Sequence, residues 1–213
     1  KLTLSSVATY GFILGFNHNS TYEGSNRIHF QFAKTALSGG TDVCFIDSKY
    51  NTSVSSTGYF SMNSTNTNVG GWSSSQMRSL LGTSISSYSG KFIGALPSDL
   101  RAVLKSVTKY TDNAGNKSTS AANVTATTDY LFLLAGYEVF GSISYANSNE
   151  SAKQAQYAYY SAGNSKIKYQ HTATTTAAAW WLRSPYSSNA TYFVRVTTGG
   201  SVGYYAAYNS YGV

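Results

Sequence analysis

The C-terminal part of the chain limits the fold more than any other stretch. From residue 180 it reads Trp180-Trp181-Leu182-Arg183-Ser184-Pro185, then an alternating run, Tyr192-Phe193-Val194-Arg195-Val196, a Gly199-Gly200 turn and a return run from Val202 to Tyr205. β-favouring residues on either side of a two-glycine turn predict consecutive antiparallel strands. Residues 180 to 213 contain no Lys, Asp, Glu, Gln or Met and are thick with Tyr, Ser, Asn, Ala and Gly. Tyr supplies a large, rigid contact area at low entropic cost, and Ser, Asn and Gly supply adaptable hydrogen bonds, the chemistry of antibody paratopes. Such a segment suits binding better than catalysis, although the same tyrosines would also suit strand positions as such.

The rest of the chain reads as scaffold. At 213 residues it is long enough to bury a substantial core. No repeat and no Pro-rich linker divides it, so one ligand-binding domain over 1–213 is expected, with 182–213 as its variable segment. Charged residues make up only 11% of the chain while aromatic residues reach 15%, including 19 tyrosines. Low charge does not imply disorder here, because the aromatic residues can form a core. The composition points to an extracellular or virion-surface protein rich in strands and loops. The net charge of +7 comes from scattered residues, without the basic stripe of a nucleic-acid binder. An acidic cell-surface polymer stays open as a partner. No apolar run is long enough to insert in a membrane and no signal peptide is visible. Lys1 is not a natural start, so a piece of a longer protein is expected. The single cysteine, Cys44, cannot form an internal disulfide and is expected to be a buried, inert thiol.

Taken in order, Thr3 to Phe16 predicts one or two strands and Asn17 to Ser25 a polar turn. Arg27 to Phe32 alternates strictly, which predicts a half-buried strand with Ile28, Phe30 and Phe32 on its core face. A turn at Ser38-Gly39-Gly40, a short strand over Val43 to Ile46 and a long Ser/Thr/Asn loop from Asn51 to Asn68 follow. Ser73 with Gln76 forms a capping-box pattern ahead of Met77, Leu80 and Leu81, with Gly82 placed to end the helix. A second helix is expected from Pro97 or Ser98, with Leu100, Val103, Leu104 and Val107 as its stripe and Lys105 and Lys109 near its end. Tyr110 to Thr128 reads as a hairpin tip or loop, and Asp129 to Leu134 as a buried strand. Ser151 to Tyr160 predicts a short helix, Ile167 to Tyr169 a brief strand and the Ala/Thr tract from Thr172 to Ala179 a loop. Strands, then helices, then clustered short strands argue for an α+β fold.

The search for chemistry is mostly negative. His18, His29 and His171 lie at no metal-ligand spacing and are expected to be surface or strand residues. No G-x-S-x-G elbow and no phosphate-binding glycine loop is present. The eight acids are spread thinly. Asp99 suits the first turn of a helix, and Glu138 is expected to bond a loop backbone or pair with Arg183. We therefore expect no catalytic residue, no metal and no cofactor. Tyr186, Ser187, Ser188, Asn189, Tyr192, Ser201, Tyr204, Tyr205 and Tyr208 are the expected display residues, held by a framework of Trp180, Trp181, Leu182, Arg183 and Phe193.

Four motifs together resemble a family of uncharacterised domains from gut Firmicutes and their phages. They are Gly70-Gly71-Trp72-Ser73-Ser74-Ser75-Gln76-Met77-Arg78, Glu138-Val139-Phe140-Gly141, Gln156 to Tyr160 with Gly163 to Tyr169, and Trp180 to Pro185. The likeness covers roughly residues 30 to 213. Members look like variable proteins of diversity-generating retroelements, which carry a hypervariable C-terminal segment on a C-type-lectin fold. The resemblance implies a phage-tail or cell-surface protein whose partner is a bacterial surface protein or glycan, with monomer and trimer both open. It also implies adenine-directed variation, which does not reach Lys, Glu, Gln, Met or Trp, and residues 182 to 213 use none of these. The chain departs from family members in stopping at Val213, and it lacks the sugar-binding triplets of calcium-dependent lectins. One cysteine rules out the mechanism of formylglycine-generating enzymes, which share the fold and need two. A fixed-specificity carbohydrate-binding or adhesin module is the second reading, and a hydrolase a remote third.

Overall fold

The computed structural model describes residues 2–4, 7–33, 43–44, 60–170 and 175–213. Strands β1 (Leu2–Leu4) and β2 (Val7–Phe16) form a hairpin. After a one-turn helix, α1 (Ser20–Glu23), β3 (Ile28–Ala33) pairs with the free edge of β2. Two-residue strands β4 (Val43–Cys44) and β5 (Phe60–Ser61) find their partners only late in the chain. Helices α2 (Gln76–Leu81) and α3 (Ser98–Val103) precede a second hairpin of β6 (Val107–Asp112) and β7 (Val124–Asp129). Helices α4 (Gly136–Phe140) and α5 (Ala158–Ser161) lead to β8 (Lys168–Gln170), β9 (Ala177–Ala178), β10 (Trp180–Pro185), β11 (Tyr192–Val196), β12 (Val202–Ala206) and β13 (Ser210–Tyr211). The architecture is α+β, with short helices among small, mostly antiparallel sheets: β1-β2-β3, β4-β8-β9, β6-β7, β10-β11-β12 and β5-β13.

Two cores flank the β10-β11-β12 sheet. One gathers Phe60, Trp72, Met77 and Leu80 against Trp181 and Phe193. The other gathers Phe12, Leu14 and Tyr157 against Trp180, Leu182 and Val194. Alternation along β10 and β11 sends successive apolar side chains into opposite cores, so both faces of these strands are dry. Each large side chain so buried contributes about 2–3 kcal/mol. Among the described residues, no helix is long and apolar enough to cross a membrane.

Several expectations are corrected. Helix α2 starts at Gln76, capped by Ser75, whose hydroxyl accepts from the Arg78 amide at 3.1 Å. Ser73 is not the cap because its hydroxyl already donates to Gly70 O at 2.9 Å within the preceding turn. Gly82 does end the helix, and Met77, Leu80 and Leu81 are its buried face. Helix α3 is shorter than its apolar stripe suggested: Val103 is exposed, and Val107 and Lys109 lie in β6. Lys109 therefore does not meet a helix dipole but is wholly buried.

Strand β3 departs from the expected burial at two positions, with Ile28 58% exposed and His29 only 5% exposed, while Phe32 packs against the first core as expected. The face carrying His29 packs on the charged cluster around Lys109, so polar rather than apolar contacts set its orientation. The Asp129–Leu134 run ends β7 and is not a strand of its own. Its backbone is engaged otherwise: Leu133 O accepts from Arg183 Nη1 and Leu134 O from the Arg183 amide. Part of the expected polar turn at 17–25 forms α1, and part of the Ala/Thr tract forms β9. The turn at 38–40, residues 45–46, the loop at 51–59, His171 and residues 172–174 lie outside the described residues, as does the burial of Cys44.

Candidate functional site

Strand β12 is the outer strand of its sheet, and its register on β11 decides where each tyrosine points. Tyr204 lies opposite Val194 and Tyr205 opposite Phe193. Directly opposed residues share a face, so Tyr204 stands with Tyr192 and Tyr205 with Arg195. The expected display set is thereby split between two surfaces.

On the first surface Tyr204 stacks on Tyr186, with centroids 4.5 Å apart, and lies near-parallel to Tyr192 at 5.6 Å. Tyr145 closes the group edge-on, 4.8 Å from Tyr204 and 5.5 Å from Tyr186. On the second surface Tyr205 and Tyr211 stand nearly perpendicular, 5.5 Å apart, with the Arg195 guanidinium over both. Burial raises the Tyr211 hydroxyl pKa, and the nearby Arg195 works against that rise. Tyr145, Tyr204, Tyr205 and Tyr208 are 40%, 38%, 42% and 52% exposed, which is unusual for large aromatic groups and marks a surface that can be covered. Ser188 and Ser201 are exposed as well. Ser187 and Asn189 are engaged within the loop: Ser187 Oγ donates to Tyr145 O, and Asn189 Oδ1 accepts from the Thr191 amide and hydroxyl.

The 186–192 loop is clamped from outside the segment. Asn68 is fully buried, and its Nδ2 lies 2.7 Å from Asn189 O, 2.8 Å from Tyr192 O and 3.3 Å from Tyr186 O. Its Oδ1 accepts from the Asn116 amide, and its own amide donates to Ala190 O. Gly115 permits this approach: a Cβ there would stand 1.9 Å from Asn68 O, and its φ is +60°. Neither Asn68 nor Tyr145 carries a local sequence signal. Both come from loops, Tyr145 in the left-handed region at φ 69°, and only the folded chain brings them to this surface.

Trp180, Trp181, Leu182, Arg183 and Phe193 are all buried beneath the two surfaces. The indole of Trp181 donates to Phe60 O and that of Trp180 to Lys166 O. Arg183 forms a two-pronged pair with Glu138, Nη1 to Oε2 at 2.5 Å and Nη2 to Oε1 at 2.8 Å, and its Nε donates to Thr111 Oγ1. Glu138 also accepts from the Ala135 amide and from Lys109 Nζ at 3.0 Å, so both expected roles, ion pair and backbone bond, coexist.

Lys109 Nζ stands 2.9 Å from Glu23 Oε2 and donates to the Tyr157 hydroxyl at 2.9 Å. Because an ammonium only donates, the Tyr157 hydrogen is left to point at His29 Nδ1, 2.7 Å away. His18 stacks on Tyr157 at 3.6 Å. Burial drives both imidazoles neutral, His18 to a pKa of about 4 and His29 to about 3. Burial raises Glu23 to about 7 against the pull of Lys109. It works on Glu138 too, but Arg183 and then Lys109 outweigh it and hold that carboxyl well below the usual range.

The ligand atoms of His18, Glu23 and Glu138 lie within 4.8 Å of one another, a spacing that could suit a cation. The Lys109 ammonium already sits 2.9 and 3.0 Å from the two carboxylates and balances them together with Arg183. The cluster is closed to solvent and ties α1, β3, β6, α4 and β10 together.

Fold and surface together define an α+β domain that carries exposed aromatic groups on an edge strand over a rigid, buried frame. The chain belongs to the family described as domain of unknown function DUF6273, which matches residues 41–213. No curated protein and no solved structure matches the chain.

Proposed function

We propose that this chain is a ligand-display domain whose C-terminal segment binds a bacterial surface protein or glycan. Its α+β scaffold is of the C-type-lectin kind, and its segment 182–213 is the variable region of a diversity-generating retroelement protein, carried on a phage tail or a cell surface. The observation that carries this reading is the grouping of Tyr145, Tyr186, Tyr192 and Tyr204 at one face of β12 and Tyr205 at the other, with Tyr208 exposed in the turn that follows. All stand above framework residues with no room to vary. Aromatic groups presented this way give contact area at little entropic cost, and the buried frame lets the exposed positions change without unfolding the domain. Burial restricts substitution in the framework and leaves the exposed positions of the segment tolerant of change. Sequencing relatives from one population tests the proposal. Positions 186 to 208 are expected to vary far more than residues 96 to 107, and equal variation in the two stretches overturns it.

A further inference from the structure

Arg195 brings a charge to the second surface, and among the described residues it has no counter-ion. Its guanidinium carbon stands 4.4 Å from the centroid of Tyr211 and 4.8 Å from that of Tyr205, in the corner made by two rings at 87°. Its Nε is buried without an acceptor. Among the described residues no carboxylate lies within ion-pair distance of it, and its Nη atoms have no partner either. Residues 151 to 213 contain no Asp or Glu, so a counter-ion would have to come from a distant segment, as Glu138 does for Arg183. Aromatic faces hold a guanidinium in place but do not neutralise it, and its planar fork matches a carboxylate in two-pronged geometry.

We propose that Arg195, Tyr205 and Tyr211 form a carboxylate-reading subsite, and that the ligand of this surface is a polysaccharide whose sugars carry ring carboxylates. The inference rests on the display reading above and names the ligand class for one of its two surfaces. The carboxylate takes the fork of Arg195, and the apolar face of the sugar ring lies on the exposed Tyr205. A polymer that repeats its carboxylate also gains from the diffuse net charge of +7, and, unlike an acidic peptide, it offers an apolar ring face to Tyr205 beside each carboxylate.

The test measures binding of the chain to immobilised polygalacturonate and hyaluronan, to methyl-esterified polygalacturonate, and to dextran sulfate. The ester keeps the shape and removes the charge. Both carboxylated polymers are expected to bind, with esterification or Arg195→Gln each weakening binding about tenfold or more. Arg195→Lys, which keeps the charge and loses the fork, is expected to restore only a minor part. Val103→Ala, at an exposed position of α3 outside both tyrosine surfaces, should change binding less than about twofold. Retained thermal unfolding of each variant separates lost binding from lost folding. Equal binding of ester and acid, full binding by Arg195→Gln, a preference for dextran sulfate, or no binding to either carboxylated polymer overturns the proposal. If positions 186 to 208 nonetheless vary among relatives, only the ligand class falls. If they do not vary, the display reading falls independently.

Discussion

Tyr204 and Tyr205 are consecutive in β12 and face opposite ways: the first stacks 4.5 Å from Tyr186, the second meets the Arg195 guanidinium at 4.8 Å. The period of two along a strand makes them members of separate surfaces, each with its own aromatic neighbours. Tyr204→Ala and Tyr205→Ala are therefore expected to act independently on binding. A double-mutant cycle should give a coupling below about 0.5 kcal/mol. Coupling above about 1 kcal/mol would mean that one ligand spans both faces.

Removing one member of the Glu138–Arg183 pair leaves the other buried and unpaired. Glu138→Gln strands two cations, Arg183 and Lys109, and should lower stability by about 3–5 kcal/mol. Urea unfolding measures the loss, and a loss under about 1 kcal/mol would show that water reaches the cluster.

Asn68→Ala leaves three loop carbonyls, those of Tyr186, Asn189 and Tyr192, without their shared donor. We expect a stability loss of about 1–3 kcal/mol and faster hydrogen exchange at the Tyr186 and Ala207 amides, which bond to Tyr192 O and Thr191 O. Unchanged exchange would place the rigidity of the loop in β11 and β12 instead. Gly115→Ala should imitate the defect, because its Cβ would collide with Asn68 O.

Histidine and carboxylate make opposite contributions to stability as pH changes. His18 and His29 have folded pKa values of about 4 and about 3, below the usual 6.5, so the stability they contribute is full above 6.5 and is lost as pH falls through those values. Glu23 is raised from 4.5 to about 7, so its contribution is full below 4.5 and is lost as pH rises through 7. Glu150, also raised by burial, acts in the same direction as Glu23. Thermal unfolding from pH 4 to 8 separates the two. The destabilisation caused by His29→Gln should shrink as pH falls below 6.5, and that caused by Glu23→Gln should shrink as pH rises from 5 to 8. A difference that stays constant with pH in either variant contradicts the assignment.

The hairpin of β11 and β12 and the helix before Gly82 were legible because local patterns specify them: alternation about a glycine turn in one case, helical spacing before a stop in the other. Glu138 and Arg183 could be paired from sequence because a lone acid after an apolar run and a lone arginine in a tryptophan-rich strand each need a partner. The Asp129–Leu134 run misled because apolarity alone does not separate a strand from an extended segment whose carbonyls serve a buried arginine. Lys109 and His29 misled because charged and polar groups are usually exposed, and nothing local marks the neighbours that satisfy them.

What the sequence by itself determined is the α+β order of elements, the C-terminal strand-turn-strand unit and the tyrosine-rich makeup of its surface, free of acids and lysine. These follow from short-range periodicity and composition. Tertiary structure alone decided that the tyrosines divide between two faces, that Tyr145 joins one of them, that Arg195 stands between two tyrosine rings with no counter-ion among the described residues, and that Asn68 clamps a loop 118 residues away in the chain. Those relationships depend on register and on contacts between distant segments, which form only when the two cores close around β10 and β11.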